Sequence, residues 1–290
     1  MTGNAIIYAF FDEPTNTVSY LVADPVTRQA AVIDPVFDYD HKSGKASPKP
    51  ADAILRKASE EGYAIGLVLE THVHADHLSA APYIKLKTGA RVGIGERIRE
   101  VQQIFRPVFN ATDVSGDGSE FDLLLKDGEA FHIGQIEGRV MATPGHTPAC
   151  VSFRIGDALF IGDTMFMPDY GTARADFPGG DARTLYRSIR KILSLPGETR
   201  LFMCHDYLPK EGRTAYAWET TVAEERARNV HVHDGVSEED YVAMRTARDA
   251  TLSAPVLLMP SIQVNMRAGK LPPADVNGVH YIRVPVTLAS

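Results

Sequence analysis

Three runs rich in β-branched and aromatic residues open the chain: AIIYAFF at 5–11, TVSYLVAD at 17–24 and QAAVIDP at 29–35. Asp, Pro and Thr-Arg turn residues separate them, which predicts a meander of strands. The stretch 36–50, VFDYDHKSGKASPKP, is polar and aperiodic and reads as an exposed loop, with His41 solvated in it. From Ala51 to Ala64 apolar residues return at helical spacing, and Gly62 stands where that helix would end. IGLVLE at 65–70 then predicts a strand. The segment 77–90, HLSAAPYIKLKTGA, reads as a second helix with Pro82 in its first turns and Gly89 at its end.

Farther along, ARVGIG predicts a short strand, ERIREVQQIF a helix, and EFDLLLKDGEAFHIG at 120–134 a hairpin turning at Asp127-Gly128. Three more apolar runs fill 138–166, and between the first two TPGHTP holds a histidine in a non-helical loop. DARTLYRSIRKILSL predicts a helix and TRLFMCHDY a strand ending in His205. Beyond Tyr207 the pattern changes. The segments 214–230 and 237–252 read as helices, and the Pro-rich tail from Ser253 reads as extended. The expected organisation is one main domain, 1–210, with an extension, 211–290, packed on it and able to wall a substrate cleft.

Composition narrows the function classes. Thirty Lys and Arg against 37 Asp and Glu give a net charge of −7, with no dense basic run, so neither nucleic acid nor an anionic membrane is an expected partner. The first residues lack a basic n-region, and no stretch reaches the roughly 20 apolar residues that span a bilayer, so a cytoplasmic location is expected. Cys150 and Cys204 are too few for a disulfide framework and read as buried small residues.

The chemistry concentrates at four strand ends. THVHADHL at 71–78 carries His72, His74, Asp76 and His77; His146 follows a second strand, Asp163 a third and His205 a fourth. Extended residues alternate sides, so His72 and His74 point the same way, while Asp76 and His77 reach a neighbouring position. Imidazole suits zinc, iron and related metals, and a carboxylate bridges or completes their coordination. So many electron donors in one place would be unfavourable without a cation.

THVHADH, TPGHT, FIGDTMF and FMCHDY together resemble the metal motifs of the metallo-β-lactamase superfamily, over roughly residues 5–210. That resemblance implies an α/β fold, a four-layer αββα sandwich with its site at one edge of two packed sheets. A dinuclear member would use His72, His74 and His146 at one metal, Asp76, His77 and His205 at the other, and Asp163 as the bridge. More narrowly, GTARADFPGGDARTLYRSIRKIL, CHDY and DEPTNTVSYLVADP are similar to bacterial persulfide dioxygenases, also called sulfur dioxygenases, which resemble glyoxalase II. That similarity implies one Fe(2+) per chain on His72, His146 and Asp163, a two-His, one-carboxylate triad with positions open for substrate. His74, Asp76, His77 and His205 would then orient ligands and bound water.

The implied reaction oxidises glutathione persulfide with O2 to sulfite and glutathione, with Tyr207 and His205 beside the reacting atoms. The alternative is a glyoxalase II-type thioester hydrolase with two Zn(2+), and the same seven residues serve both metal counts. Glutathione carries two carboxylates, for which Arg174 in GTARADF and Arg267 in QVNMRAGKLP are the candidate cations. A homodimer is compatible with the pattern. HVHD at 231–234 imitates the first motif without partner ligands nearby, and GIGERIRE lacks the full glycine pattern of a nucleotide turn.

Overall fold

The structure, a computed structural model, describes residues 5–209, 211–286 and 288. The expected meander forms: β1 (Ile6–Asp12), β2 (Thr17–Ala23) and β3 (Gln29–Ile33) pair antiparallel in order. Next come two short strands, β4 (Val36–Asp40) and β5 (Lys45–Ser47), paired with each other where the sequence predicts an open loop. β4 is drawn into strand form from outside, by antiparallel pairing with β7 (Leu78–Ser79). Between them lie α1 (Lys49–Glu61), ended by Gly62 in the left-handed conformation, and β6 (Ala64–Glu70), parallel to β3. α2 (Ala81–Thr88) is shorter than expected because Leu78 and Ser79 belong to β7.

β8 (Arg91–Gly95), α3 (Ile98–Val108) and β9 (Leu123–Leu125) complete a first six-stranded sheet of order β1-β2-β3-β6-β8-β9. The hairpin expected at 120–134 does not form. The chain turns at Gly128, but β9 pairs with β8 while β10 (Ala130–Ile133) pairs with β11 (Ile136–Ala142), so the turn carries the chain from one sheet to the other. β12 (Val151–Ile155), β13 (Ala158–Phe160), α4 (Ala182–Leu193), β14 (Arg200–Phe202) and β15 (Glu219–Thr221) finish the second sheet, of order β10 to β15.

Alternation along the strands builds the layers. In β2, Val18, Tyr20 and Val22 face the second sheet and pack with Phe153, Phe160 and Phe202, whereas Leu21 and Ala23 face α1, α2 and α3. In β13 and β14, Phe160 and Phe202 point inward and Leu159 and Leu201 outward against α4. Strands such as β2 and β13 are buried on both faces and read as continuous apolar runs, whereas β10 and most of β11 alternate buried and exposed positions. Helices, sheet, sheet and helices make the αββα sandwich.

The segment after residue 210 contributes to both helical layers; residue 210, where the boundary is expected, lies outside the described residues. The helix expected at 214–230 is in fact β15 followed by α5 (Val222–Arg228), whose start is fixed by Thr221 accepting from the Glu224 N–H. α6 (Glu238–Asp249) packs through Tyr241 beside α4. The tail expected to be extended folds into α7 (Leu258–Asn265), whose Ile262, with Met266 beyond it, enters the first core. Pro260, Ser261, Gln263 and Asn265 are buried along with Ile262, so α7 has no polar face for a sequence pattern to reveal. Among the described residues no helix is long and apolar enough to cross a membrane.

Candidate metal centre

The ends of β3, β6, β11, β13 and β14 meet at one edge of the two sheets, the place where α/β folds collect sites. Asp34, just after β3, sets the geometry. Its Oδ1 accepts from the Thr71 N–H at 2.7 Å and its Oδ2 from the Thr71 hydroxyl at 2.8 Å, which turns the chain out of β6. Thr71 in turn requires a glycine opposite: a Cβ on Gly162, itself at φ 52°, would lie 2.7 Å from the Thr71 hydroxyl oxygen. Gly145 has the same necessity on the other side. Its φ is 136°, and a Cβ there would come within 2.3 Å of Leu185 at the start of α4.

These constraints bring the seven expected residues together. Ring centroids of His72 and His74 are 4.0 Å apart, of His72 and His146 5.1 Å, of His74 and His77 4.2 Å, and of His77 and His205 6.4 Å. Single donor atoms of His72, His146 and Asp163 all lie within 4.8 Å of one another, as do those of His74, Asp76 and His77. His205 Nε2 stands 3.1 Å from Asp76 and 3.3 Å from Asp163.

Second contacts aim the rings. His72 Nδ1 is 3.0 Å from the Thr71 hydroxyl, and His146 Nδ1 is 2.8 Å from the Arg174 carbonyl, so each directs Nε2 inward. His74 is reversed: its Nε2 sits 3.0 Å from Asp34 Oδ1 and 3.5 Å from Glu70 Oε2, which leaves Nδ1 for the centre. Burial opposes protonation of His74, but the Asp34 and Glu70 carboxylates hold it well above the ordinary imidazole range. Burial and the neighbouring histidines push His72 well below that range, so it is a neutral nitrogen donor. Burial alone would raise Asp76, yet His205 and His77 keep its carboxyl far below the usual carboxylate value.

The donor set fits a metal on a direct observation. His74 Nδ1, His77 Nε2, His205 Nε2 and Asp163 Oδ1 are all buried at this centre without a hydrogen-bond partner. Each such group costs about 1–3 kcal/mol if nothing meets it. Nitrogen and carboxylate donors in this number suit zinc or iron.

A cavity of about 260 Å³ opens beside the centre, lined by Asp76, His146, Asp163 and Tyr207 and also by Arg174 and Arg248. Tyr207 stacks on His205 at 5.7 Å and on Tyr170 at 4.9 Å; burial, then Asp76 and Asp163, raise its phenol well above the usual value, so it stays a donor. The structure treats the two expected substrate arginines differently. Arg174 lines this cavity with its guanidinium forked onto Asp176. Arg267 does not reach it: its guanidinium is bound to Asp113, and it lines a separate cavity with Arg283. Arg248, which sequence reasoning missed, is exposed at this cavity and has no ion-pair partner among the described residues. Only its position on α6, one turn beyond Arg245, hinted at it.

Cys150 and Cys204 are buried free thiols, as expected; burial pushes Cys150 up to about 12. His231 of the imitative HVHD segment packs under the cavity, its Nδ1 accepting from the Thr172 N–H at 3.0 Å.

The chain belongs to the metallo-beta-lactamase superfamily, whose model matches residues 12–205. It is 52% identical to a probable metallo-hydrolase of Burkholderia pseudomallei, covering 97% of this chain and 98% of that one. It is 46% identical to the glyoxylase B2 of Dictyostelium discoideum, over 99% and 98% of the two chains. With the human mitochondrial persulfide dioxygenase ETHE1 it shares 30% identity over 91% of this chain and 89% of that one. Beta-lactamase hydrolase-like proteins of Agrobacterium fabrum and Xylella fastidiosa, 49% identical, are longer, and the chain spans 64% of their length. Among solved structures, the crystal structure of ETHE1 from Myxococcus xanthus aligns with TM-score 0.72 and 30% identity over 91% of this chain and 99% of that one.

Proposed function

We propose that the chain is an iron-dependent persulfide dioxygenase: glutathione persulfide, dioxygen and water give glutathione, sulfite and two protons. The observation that carries this reading is the compact His72, His146 and Asp163 donor set, each within reach of one ion, in a chain similar over nine-tenths of its length to proteins named persulfide dioxygenase. Bound on those three residues, ferrous iron supplies the redox chemistry that couples dioxygen to sulfur.

The chain's own residues do the rest. Arg174 O fixes the His146 ring, and Thr71 fixes His72. The Tyr207 phenol, held protonated, faces the cavity as a hydrogen-bond donor to substrate or oxygen. Arg248 offers a free guanidinium to a glutathione carboxylate, for which Arg174, already forked onto Asp176, is less available. Asp76, His77 and His205 hold polar atoms toward the space next to the triad and there position water or a second ion.

A second reading rests on those same atoms. The unpartnered Nε2 of His77 and of His205, beside Asp76 and Asp163, complete a second donor set, and relatives at 46–52% identity carry the names glyoxylase and metallo-hydrolase. In that case the chain is a dinuclear zinc hydrolase of glutathione thioesters. Metal content of protein purified without oxygen, paired with oxygen uptake on glutathione persulfide, separates the two. About one iron per chain with rapid uptake supports the dioxygenase, and two zincs with thioester hydrolysis and no uptake refute it.

A further inference from the structure

We infer that Asn265, on the C-terminal helix α7, is a positioning residue that holds the THVHADHL loop in its metal-binding form. This rests on the metal-centre reading but not on which reaction the centre performs.

Asn265 is 4% exposed, and both N–H donors and the carbonyl oxygen of its amide bind that loop and Ser79 just past it. Its Nδ2 donates to the carbonyls of His74 at 2.9 Å and His77 at 2.8 Å, and its Oδ1 accepts from the Ser79 N–H at 2.8 Å. An asparagine side chain has two donors and one acceptor group, so all three are matched to backbone groups that would otherwise be buried without partners. The loop between β6 and β7 has no sheet or helix partner for those carbonyls. The contact is 186 to 191 residues long in sequence, so it ties the last helix of the chain to the first metal motif.

The helix is itself pinned. Gln102 donates to the Met266 carbonyl at 2.9 Å, and Arg267 forks onto Asp113. Gly269, at φ 80°, comes so close to the loop's far end that a Cβ would lie 2.9 Å from the Ser79 carbonyl and 2.5 Å from Pro82. The amide therefore acts from a fixed platform, and its effect on the loop is to set where the backbone of His74 and His77 lies. Both rings then project from anchored carbonyls toward the centre, where His74 Nδ1 and His77 Nε2 await a partner.

The test loads metal-free wild-type, Asn265→Asp and Asn265→Ser proteins with zinc and follows its transfer to a chromophoric chelator, beside thermal unfolding of the metal-free forms. Outer contacts of this kind typically change metal affinity about 10–100-fold, and zinc retention should fall by that factor in the aspartate variant, which loses both donors, and less in the serine variant. Gln102→Leu is the structural control: it loosens α7 while leaving the Asn265 amide in place, and should lower the unfolding temperature at least as much as Asn265→Asp does but cost far less zinc retention. Unchanged retention in the Asn265 variants, or equal loss in Gln102→Leu, would overturn the inference. Should the Asn265 variants fail to fold, wild-type protein answers by hydrogen exchange. Coupling is reciprocal, so zinc must slow exchange in 258–266 as well as in 72–79, and no change in α7 refutes the tie. Zinc retention is read without turnover, so failure of the dioxygenase reading leaves this result standing.

Discussion

Glu225 offers a quantitative test of how the second helical layer is built. It lies on α5, fully buried, with Oε2 accepting from Asn229 Nδ2 at 2.6 Å and Oε1 without any partner. Burial raises its carboxyl from the ordinary 4.5 to about 8 against the opposing Asn229 hydrogen bond, and Asp169 and Glu224 add smaller contributions to the rise. The folded protein therefore keeps a proton that the unfolded chain releases, and stability is full below about 4.5 and declines as pH rises to about 8. At about 1.4 kcal/mol per pH unit, the decline amounts to about 5 kcal/mol. Glu225→Gln carries no charge to bury and lacks this group's decline, so its stability relative to wild type should rise steadily across that window toward pH 8. Urea unfolding of both metal-free proteins at intervals from pH 5 to 9 reads the difference directly. Parallel pH profiles would show that Glu225 ionises normally in the fold and would refute its burial as a neutral acid.

Two predictions concern the centre. Asp34→Asn keeps the volume but removes the charge that His74 Nε2 faces and one acceptor of the Thr71 pair, and it should weaken metal retention about 10–100-fold in chelator competition; retention equal to wild type would remove Asp34 from the machinery. Arg248→Ala should raise KM for glutathione persulfide about tenfold, the worth of about 1.4 kcal/mol, with kcat nearly unchanged. Arg267→Ala, whose guanidinium is bound to Asp113 in another cavity, should leave KM unchanged, and the reverse pattern would reassign the substrate contact.

What the sequence could and could not say follows from the range of the forces involved. Strands buried on both faces, and helices closed by glycines such as Gly62 and Gly89, carry their signals locally, and the motif histidines announce themselves by density. The second strand pair was hidden because β4 owes its form to β7, about 40 residues away, and its own pattern is polar. The turn at Gly128 was visible, but whether its two flanks share a sheet depends on which neighbours capture them, β8 or β11. Asp34 looks in sequence like the end of a strand before a proline. Its function arises only when Thr71 and His74, 37 and 40 residues on, fold against it. α7 is the extreme case. It has no amphipathic stripe, since Ser261, Gln263 and Asn265 are buried with Ile262 and Val264, and its two amide side chains are satisfied by distant partners: Gln263 donates to Arg283 O, and Asn265 grips the metal loop. A buried polar residue with every group matched is invisible to periodicity, yet it is the residue whose loss should be felt farthest from its own helix. The first motif is therefore readable as a ligand set from residues 71–78 alone, but its geometry is written partly in residues almost 200 positions later.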